Sequence, residues 1–312
     1  MPPGVERKLV LVTRRTRLDE LVQRHHTHEA ARFYVEHLGG DFADYRREHE
    51  AYMVARHSVL AVLEAHGRYQ TIDRRFLPNY LFGPHDVVVA LGQDGLVANT
   101  LKYLDGHPLV GLNPEPTRYD GLLLPFAPRD LAALLPGLLA DKRPHKTVSM
   151  AETQLADDQL LRAVNELFIG PRSHVSARYE ISLGERREVQ SSSGLIVATG
   201  LGSTAWIKSI VTGSLGVAAA FAGGDPAAPP AMARPWDDRE LSFAVREPFP
   251  SKSSQATLIC GRIAPPAKLH LRSLMPEEGV IFSDGIEADN LAFTAGMEAV
   301  IGLSQRQGRL IV

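Results

Sequence analysis

The sequence predicts an α/β domain built on a parallel, doubly wound sheet, followed by a second domain rich in β-strands. Two observations support this division. In the first half, apolar runs alternate with amphipathic segments, and the run DVVVAL at 86–91 is continuous and β-branched, as expected of a strand buried on both faces. After about residue 145, apolar residues instead alternate with polar ones, as in YEISLG at 179–184, which is typical of antiparallel strands.

The first half of the chain reads as strands separated by helices. Thr16, followed three residues later by Asp19, is a helix N-terminal signal, and Gly39-Gly40 and Gly67 are stop signals. These patterns predict, in order, a strand at 8–14, a helix from Thr16 to the stop at Gly39-Gly40, a helix from Asp44 to Gly67, a strand at 69–76, the strand at 86–91, a helix at 96–104 and a strand at 107–113.

The second half carries further alternating runs, LSFAV at 241–245 and KLHLRSL at 268–274, and GRLIV at 308–312 predicts a late strand. DKRPHKT at 141–147 predicts the junction between the two domains. GGDPAAPPAMARP at 223–235 predicts a surface loop, because its prolines cannot sit in a central ladder.

Composition and charge predict a soluble cytoplasmic protein. A net charge of −2 gives no broad footprint for nucleic acid, so no nucleic-acid partner is expected. No apolar run approaches the roughly 18–20 residues of a membrane span, so no membrane partner is expected either. The N-terminal MPPGVERKLVLV lacks the apolar region of a signal peptide. The single cysteine, Cys260, excludes a disulfide within one chain, and we expect it to be a small core residue.

The strand at 86–91 runs into a carboxylate flanked by glycines. In a parallel α/β sheet, ligands collect at the carboxyl ends of the strands, and Asp94 lies just beyond such an end. Gly92 and Gly95 let a ligand approach the backbone, and Asp94 is placed to act as a general base toward a hydroxyl. The alternative is that Asp94 caps the helix at 96–104 and the glycines only make a turn.

Two later stretches also carry candidate binding residues. In SSSGLIVATGLGSTAWIKS, at 191–209, two glycines with adjacent hydroxyls suit a phosphate- or ribose-binding loop, although a capped turn fits as well and the Walker pattern is absent. In RAVNELFIG, at 162–170, Asn165 and Glu166 place donor and acceptor groups side by side, as needed to grip two ribose hydroxyls. The alternative for this pair is an element boundary with a capping asparagine.

Other polar clusters have simpler interpretations. His25 and His28 are within reach of one metal ion on a helix, but no acidic or cysteine partner is fixed by spacing, so we interpret His25 as a packed or substrate-edge histidine. The pairs Arg14-Arg15 and Arg74-Arg75 are interpreted as solvated rather than as phosphate contacts. Asp284-Gly285 is a hairpin-turn signal.

Taken in order, the three stretches resemble the NAD kinases. That family carries a Gly-Gly-Asp-Gly loop, then an Asn-Glu or Asn-Asp pair, then a Thr-x-x-Gly-Ser-Thr-Ala-aromatic loop, matched here at 92–95, 165–166 and 199–206. LVGLNPEPTRYDG, SARYEISLG and VREPF resemble segments of its mitochondrial-type branch. The resemblance extends from about residue 8 to residue 301.

The resemblance implies a Rossmann-like α/β nucleotide-binding domain at 1–142, with about 290–312 returning to it, and a β-rich NAD-binding domain at 143–289. It implies transfer of the terminal phosphoryl group of ATP, with Mg²⁺, to the 2′-hydroxyl of the adenosine ribose of NAD, giving NADP. It further implies a homodimer or homotetramer whose ligands are small nucleotides.

The resemblance also assigns roles to individual residues. Asp94 would orient or deprotonate the 2′-hydroxyl, and Trp206 stands in place of the family's usual tyrosine. No metal ligand in the chain is implied. The implied contacts to substrate and donor are Gly92, Gln93, Gly95, Asn113, Asn165, Glu166, Thr199, Gly202, Ser203, Thr204, Ala205 and Trp206.

Three further positions depart from the family pattern. Gln93 stands where the family has its second glycine, Leu96 where it has threonine, and Ser193 where most members, outside the mitochondrial-type branch, have aspartate. The first two departures bear on the grip on the phosphate donor. Two alternative functions remain. One is a kinase of another hydroxyl acceptor, such as a sugar or lipid, because lipid kinases and phosphofructokinases share this type of loop. The other is a non-catalytic dinucleotide-binding regulatory protein, which Gln93 and Leu96 leave open.

Overall fold

The computed structural model describes residues 7–225, 227–228 and 230–312, and these form two compact units. Unit 1 holds the described residues up to His145 together with Arg309–Val312, and unit 2 holds Lys146–Gly308. The division after His145 falls within the segment 141–147. Of residues 290–312, only Arg309–Val312 lie in unit 1, because most of the final strand pairs within unit 2.

Unit 1 is a parallel sheet with helices. Its strands are β1 Leu9–Thr13, β2 Tyr69–Asp73, β3 Val87–Leu91 and β4 Pro108–Leu112, and its helices are α1 Arg17–His25, α2 His28–His37, α3 Phe42–His66, α4 Asp94–Leu101 and α5 Leu131–Leu139. The strands lie in the order β2-β1-β3-β4, and Arg309 and Leu310 continue the sheet parallel to β4. Every residue of β1, β3 and β4 is buried, which confirms the interpretation of the continuous apolar runs.

The prediction of one continuous helix after β1 is wrong, because the structure has two helices there, α1 and α2. His26 adopts a left-handed conformation, with φ of 70°, and its N–H closes α1 on the carbonyl of Val22. Thr27 then starts α2 by accepting the N–H of Ala30 at 3.0 Å. The predicted strand at 69–76 also ends early, at Asp73, where a short 3₁₀-helix begins.

Unit 2 contains two antiparallel sheets that share one core. One sheet has the order β16-β13-β8-β9, with β5 pairing β16 and β6, and the other has the order β12-β11-β10-β7-β14-β15. Tyr179 and Leu269 of the first sheet belong to the same buried cluster as Ile169 and Leu195 of the second. The strands are β5 His145–Leu155, β6 Leu160–Ala163, β7 Glu166–Pro171, β8 Ala177–Leu183, β9 Arg186–Ser192, β10 Leu195–Ala198, β11 Leu241–Val245, β12 Cys260–Ile263, β13 Leu269–Ser273, β14 Gly279–Ser283, β15 Ile286–Ala292 and β16 Glu298–Ile311.

One helix of unit 2, α6 at Trp206–Ala222, changes an expectation from the sequence. The helical segment Leu201–Ala222 is long and apolar enough to cross a membrane by length and composition alone, with a mean hydropathy of 1.4 and 6% of its residues buried. The expectation that no such segment exists is therefore wrong. The predicted surface loop at 223–235 follows α6, and its Pro226 and Pro229 lie outside the described residues.

Candidate active site

Asp94 occupies the first position of α4, directly beyond the carboxyl end of β3. The residue at the cap position is Gln93, which makes no side-chain cap, so Asp94 is not the helix cap. One carboxylate oxygen, Oδ1, accepts the backbone N–H of Leu123 at 2.6 Å. The other oxygen makes no hydrogen bond within the described part of the chain. The carboxylate is thus anchored on one side and available on the other.

The two glycines around Asp94 serve different needs. Gly92 is buried, and a Cβ at this position would lie 2.9 Å from the side chain of Leu96 and 3.4 Å from Nε of Arg14. Gly95 is exposed, and a Cβ there would meet nothing within 4 Å. Gly92 is therefore closely packed by side chains, whereas Gly95 leaves open space beside the N-terminus of α4.

The two unusual residues of this loop fit without strain. Leu96 is buried and fills the space beside Gly92. Gln93 has φ of −126° and ψ of 168°, an extended conformation that any residue adopts, so no glycine is needed there. The Gln93 side chain lines a cavity of about 390 Å³. The other residues that line it are Arg14, Arg15, Arg17, Glu20, Glu48, Arg74, Arg118 and Tyr119.

The interpretation of Arg14 as a solvated residue is wrong, because Arg14 is buried. It pairs with the buried carboxylate of Glu48 at 2.8 Å and donates to the Tyr119 hydroxyl at 3.1 Å. Burial acts to raise the pKa of Glu48, but hydrogen bonds from Arg17 and Arg14 outweigh it and lower that pKa below its usual value. The Glu48 carboxylate in the cavity wall is therefore ionised at neutral pH.

Two more arginines of the cavity are tied to a second carboxylate. Asp44 pairs with Arg118 at 2.6 Å and with Arg17 at 2.7 Å. Hydrogen bonds from Arg118 and then Arg17 hold the pKa of Asp44 well below its usual range. By contrast, Arg75 lies on the exposed side of its turn and pairs with Asp73, as expected of a solvated residue.

Asn113, a predicted nucleotide contact, uses its amide inside its own loop. Its side-chain oxygen accepts the N–H of Glu115 at 3.0 Å, and its side-chain nitrogen donates to the carbonyl of Tyr119 at 3.1 Å. This loop carries both Tyr119, which contacts Arg14, and Leu123, which anchors Asp94. Asn113 therefore stabilises the loop that carries Tyr119 and Leu123.

In unit 2, the predicted ribose grip lies at the start of β7. The Glu166 carboxylate is buried, and its Oε2 has no hydrogen-bond partner within the described residues. Burial, and then the charge of Asp284, raise the pKa of Glu166 to about 7, against a hydrogen bond from the Trp206 backbone. The side chain of Asn165 is half-buried and makes no hydrogen bond in the described part of the chain. Asn165 and Glu166 therefore both have side-chain atoms that are available for hydrogen bonds to a ligand.

Asp284, which the sequence places in a hairpin turn, is also a structural anchor for residues 164 and 165. Asp284 and Gly285 form the turn between β14 and β15, with φ of 53° and 70°. The Asp284 carboxylate accepts the backbone N–H groups of Val164 at 3.0 Å and Asn165 at 2.6 Å. It thereby fixes the backbone that presents Asn165 and Glu166. The turn pattern itself holds no signal for these contacts.

The loop after β10 is held by its own hydroxyls. Thr199 donates to the carbonyl of Val164 at 2.6 Å and accepts the N–H of Gly202 at 3.1 Å. A Cβ on Gly202 would lie 2.0 Å from the carbonyl oxygen of Asn165, so glycine is required for this close approach. Ser203 donates to Gly200 at 2.6 Å, whereas Thr204 is exposed.

Ala205 leads into Trp206, the first residue of α6. The Trp206 ring stacks on Phe168, with centroids 5.6 Å apart and planes inclined by 4°. The guanidinium of Arg246 lies 5.4 Å from the centre of the indole ring. Trp206, Phe168 and Arg246 line a cavity of about 310 Å³ in unit 2.

The remaining sequence candidates are the histidine pair at 25 and 28 and the cysteine at 260. The described residues contain no group of three or more His, Cys, Asp or Glu side chains that could hold a metal ion, and the ring of His25 packs against Tyr34. Cys260 is exposed, so the prediction of a core position is wrong. It lies at the start of β12, which is an edge strand among the described residues and pairs with β11.

No family model matches the chain, but part of it is similar to curated NAD kinases. An NAD kinase of Cupriavidus pinatubonensis is 31% identical over 133 residues, covering 40% of this chain and 42% of that protein. An NAD kinase of Burkholderia cenocepacia is 32% identical over 133 residues, covering 40% of this chain and 43% of that protein. The match spans less than half the length of these curated relatives.

Solved structures extend the likeness to nearly the whole chain. An NAD kinase from Archaeoglobus fulgidus in complex with ATP has a TM-score of 0.52 at 16% identity, covering 97% of this chain and 93% of that one. The chain has the NAD kinase fold. Yeast NADH kinase complexed with NADH also has a TM-score of 0.52, at 12% identity, covering 98% of this chain and 83% of that one. The predicted NAD kinase fold class is confirmed, and the mitochondrial-type branch stays a prediction.

Proposed function

We propose that the protein is an NAD kinase, which transfers the terminal phosphoryl group of ATP to the 2′-hydroxyl of the adenosine ribose of NAD to make NADP. The observation that carries this proposal is the buried Oε2 of Glu166, which has no partner within the described residues. An unsatisfied buried oxygen costs roughly 1–3 kcal/mol, and a ribose hydroxyl would satisfy it. The side-chain amide of Asn165, the residue before Glu166, is free among the described residues and suits the second ribose hydroxyl.

Asp94 is the proposed catalytic residue. Its open carboxylate oxygen would accept a hydrogen bond from the 2′-hydroxyl and take its proton as the bond from that oxygen to the terminal phosphorus of ATP forms and the bond from this phosphorus to ADP breaks. The Leu123 N–H holds the other oxygen, so the carboxylate keeps its direction throughout. Phosphoryl transfer depends mainly on positioning and charge stabilisation, so one well-oriented acid with few further groups is sufficient.

ATP is the proposed donor, accompanied by Mg²⁺. No cluster of three or more acidic, histidine or cysteine side chains suits a metal within the described residues. Mg²⁺ usually binds through substrate phosphates together with one or two carboxylates. When bound, Mg²⁺ neutralises charge on the phosphates; the chain itself supplies the arginine-lined cavity beside Gln93.

An enzyme assay separates this proposal from its alternatives. The purified protein is incubated with ATP, Mg²⁺ and NAD, and NADP is detected with an NADP-specific dehydrogenase. NADP formation supports the proposal. Tight NAD binding without NADP would favour a regulatory protein, and absence of NAD binding would favour a kinase of another hydroxyl acceptor. NADH in place of NAD tests which redox form of the acceptor is preferred.

We also propose a homodimer or homotetramer, on the basis of the family resemblance, and a cytoplasmic location, on the basis of the single cysteine. Light scattering coupled to size-exclusion chromatography measures the assembly directly. A monomer at micromolar concentration would contradict the first part, and fluorescence localisation of the tagged protein tests the second.

A further inference from the structure

The arginine-lined cavity of unit 1 lies at the edge of the sheet where ligands collect. Arg14 and Arg15 follow β1, Arg74 follows β2, and Gln93 follows β3. All these strands are parallel, so their carboxyl ends meet at one edge. The lining contains five arginines and two glutamates and therefore carries excess positive charge.

Part of this charge is structural and part is free. Arg14, Arg17 and Arg118 are paired with Glu48 and Asp44. The side chain of Arg15, however, makes no hydrogen bond or ion pair within the described residues. Among the residues that the structure describes, Arg74 pairs only with Glu20, at a distance of 3.9 Å. These two guanidinium groups remain available to an anionic ligand.

Arg14 adds a buried donor that lacks a partner. Its Nε has no hydrogen-bond partner within the described residues, although the rest of the side chain is held by Glu48 and Tyr119. The same Nε lies beside Gly92, 3.4 Å from where a Cβ would be. A buried N–H without an acceptor is costly, so an anion in the cavity that reaches this atom would be stabilising.

Gln93 brings a neutral amide into the same cavity. Its backbone is extended and its side chain makes no hydrogen bond in the described part of the chain. An amide nitrogen is a donor suited to a phosphate oxygen, and beside arginines it adds a contact without adding charge. The residue that departs from the Gly-Gly-Asp-Gly pattern is therefore placed to bind a phosphate group.

We infer that this cavity binds the phosphate chain of the phosphoryl donor, with Arg15, Arg74, Gln93 and Nε of Arg14 as its contacts. The inference rests on the proposed function and specifies which residues of this chain recognise the donor. Guanidinium groups bind phosphate through paired, charge-assisted hydrogen bonds. A cavity of about 390 Å³ with several converging donors suits a chain of phosphates better than a single carboxylate.

The test compares donor and acceptor kinetics in single variants. Arg15→Gln and Arg74→Gln should each raise the KM for ATP about tenfold, as expected from one lost charge-assisted hydrogen bond, and leave the KM for NAD within about twofold. Gln93→Gly should raise the KM for ATP by a smaller factor and retain turnover. Arg75→Gln is the matched control, because Arg75 is exposed, pairs with Asp73 and does not line the cavity.

Inorganic triphosphate serves as the probe of the phosphate chain alone. It should compete with ATP in the wild-type protein and lose most of this effect in Arg15→Gln. Unchanged ATP kinetics in Arg15→Gln and Arg74→Gln, or equal effects in Arg75→Gln, would overturn the inference. If the wild-type protein makes no NADP, the proposed function fails, and calorimetric titration with triphosphate still tests the cavity: binding that Arg15→Gln removes supports it, and no binding overturns it.

Discussion

The carboxylate of Asp284 accepts the backbone N–H of Asn165 at 2.6 Å, across 119 residues of sequence. It also accepts the N–H of Val164, so a single side chain fixes the backbone that presents Asn165 and Glu166. The same carboxylate contributes, after burial, to the raised pKa of Glu166. Asp284 therefore controls both the position and the charge of the proposed ribose grip.

Asp284→Asn should weaken NAD binding and move the pH profile. Loss of the negative charge lowers the pKa of Glu166 from about 7, so the inflection in kcat/KM for NAD that reports Glu166 should move to lower pH. The KM for NAD should rise by roughly tenfold or more, because the amide supplies a donor where two backbone N–H groups need an acceptor. Steady-state kinetics from pH 5 to pH 9 measures both effects.

An exposed carboxylate just before the hairpin provides the control. Glu277 precedes β14 and does not line the cavity that contains Trp206, so Glu277→Gln removes one charge without touching residues 164–166. The inflection should stay in place in this variant. A raised KM in Asp284→Asn with an unmoved inflection would mean that Asp284 acts only through the fold.

Glu166→Gln should make the protein more stable at alkaline pH while weakening NAD binding. A carboxyl whose pKa is raised on folding binds its proton more tightly in the native state, so its stabilising effect is present at low pH and is lost as pH rises through about 7. A shift from 4.5 to about 7 corresponds to about 3 kcal/mol at most. Urea unfolding should show a gain for the variant at pH 8 and little gain at pH 5.

Local patterns predicted what depends on local sequence. β3 was predicted because a continuous β-branched run has few alternatives to a buried strand. The division of the first helix depends on His26 in a left-handed conformation, which is rare enough outside glycine that no pattern predicts it. The helix that begins at Asp94 likewise starts two residues earlier than the apolar pattern indicates.

Candidate site residues can be identified from the sequence only where one short segment contains all of the functional side chains. Asp94 and the Asn165-Glu166 pair are contiguous motifs, so they stood out. Arg14 and Glu48 are 34 residues apart, and a pair at that distance leaves no mark in either segment. Arg14 was therefore assigned to the surface. The contacts of Asp284 were missed for the same reason, since only the folded chain brings its turn to residues 164–166.

Asp94→Asn should abolish turnover and leave NAD affinity within a few-fold. The amide oxygen still accepts the N–H of Leu123, so the loop keeps its shape, but the amide cannot take a proton from the hydroxyl. Loss of a general base lowers kcat by about 10²–10⁴-fold. The measurements are kcat for NADP formation and the Kd for NAD by calorimetry. Wild-type turnover in the variant would remove Asp94 from the catalytic role.

Gly202→Ala should destabilise unit 2, whereas Gly95→Ala should not destabilise unit 1. A Cβ on Gly202 would lie 2.0 Å from the carbonyl oxygen of Asn165, and backbone atoms must move to admit it. Such overpacking costs about 1–3 kcal/mol, and more where backbone resists. A Cβ on Gly95 meets nothing within 4 Å. Urea unfolding compares the two, and equal losses of stability would contradict this account of the loop after β10.

Glu48→Ala should be among the most destabilising single substitutions in unit 1. The carboxylate is buried and pairs with Arg14 at 2.8 Å and Arg17 at 2.6 Å, so its removal leaves a buried guanidinium without a counter-charge. Breaking a buried pair in this way costs about 3–5 kcal/mol.

Glu50→Ala is the control, since Glu50 is exposed and its pair with Arg46 is worth at most about 1 kcal/mol. Because Arg14 lines the proposed phosphate cavity, an ATP analogue at saturating concentration should restore part of the stability lost in Glu48→Ala by supplying the missing negative charge. Thermal unfolding with and without the analogue measures this, and a loss of stability no larger than that of Glu50→Ala would show that the buried pair contributes little.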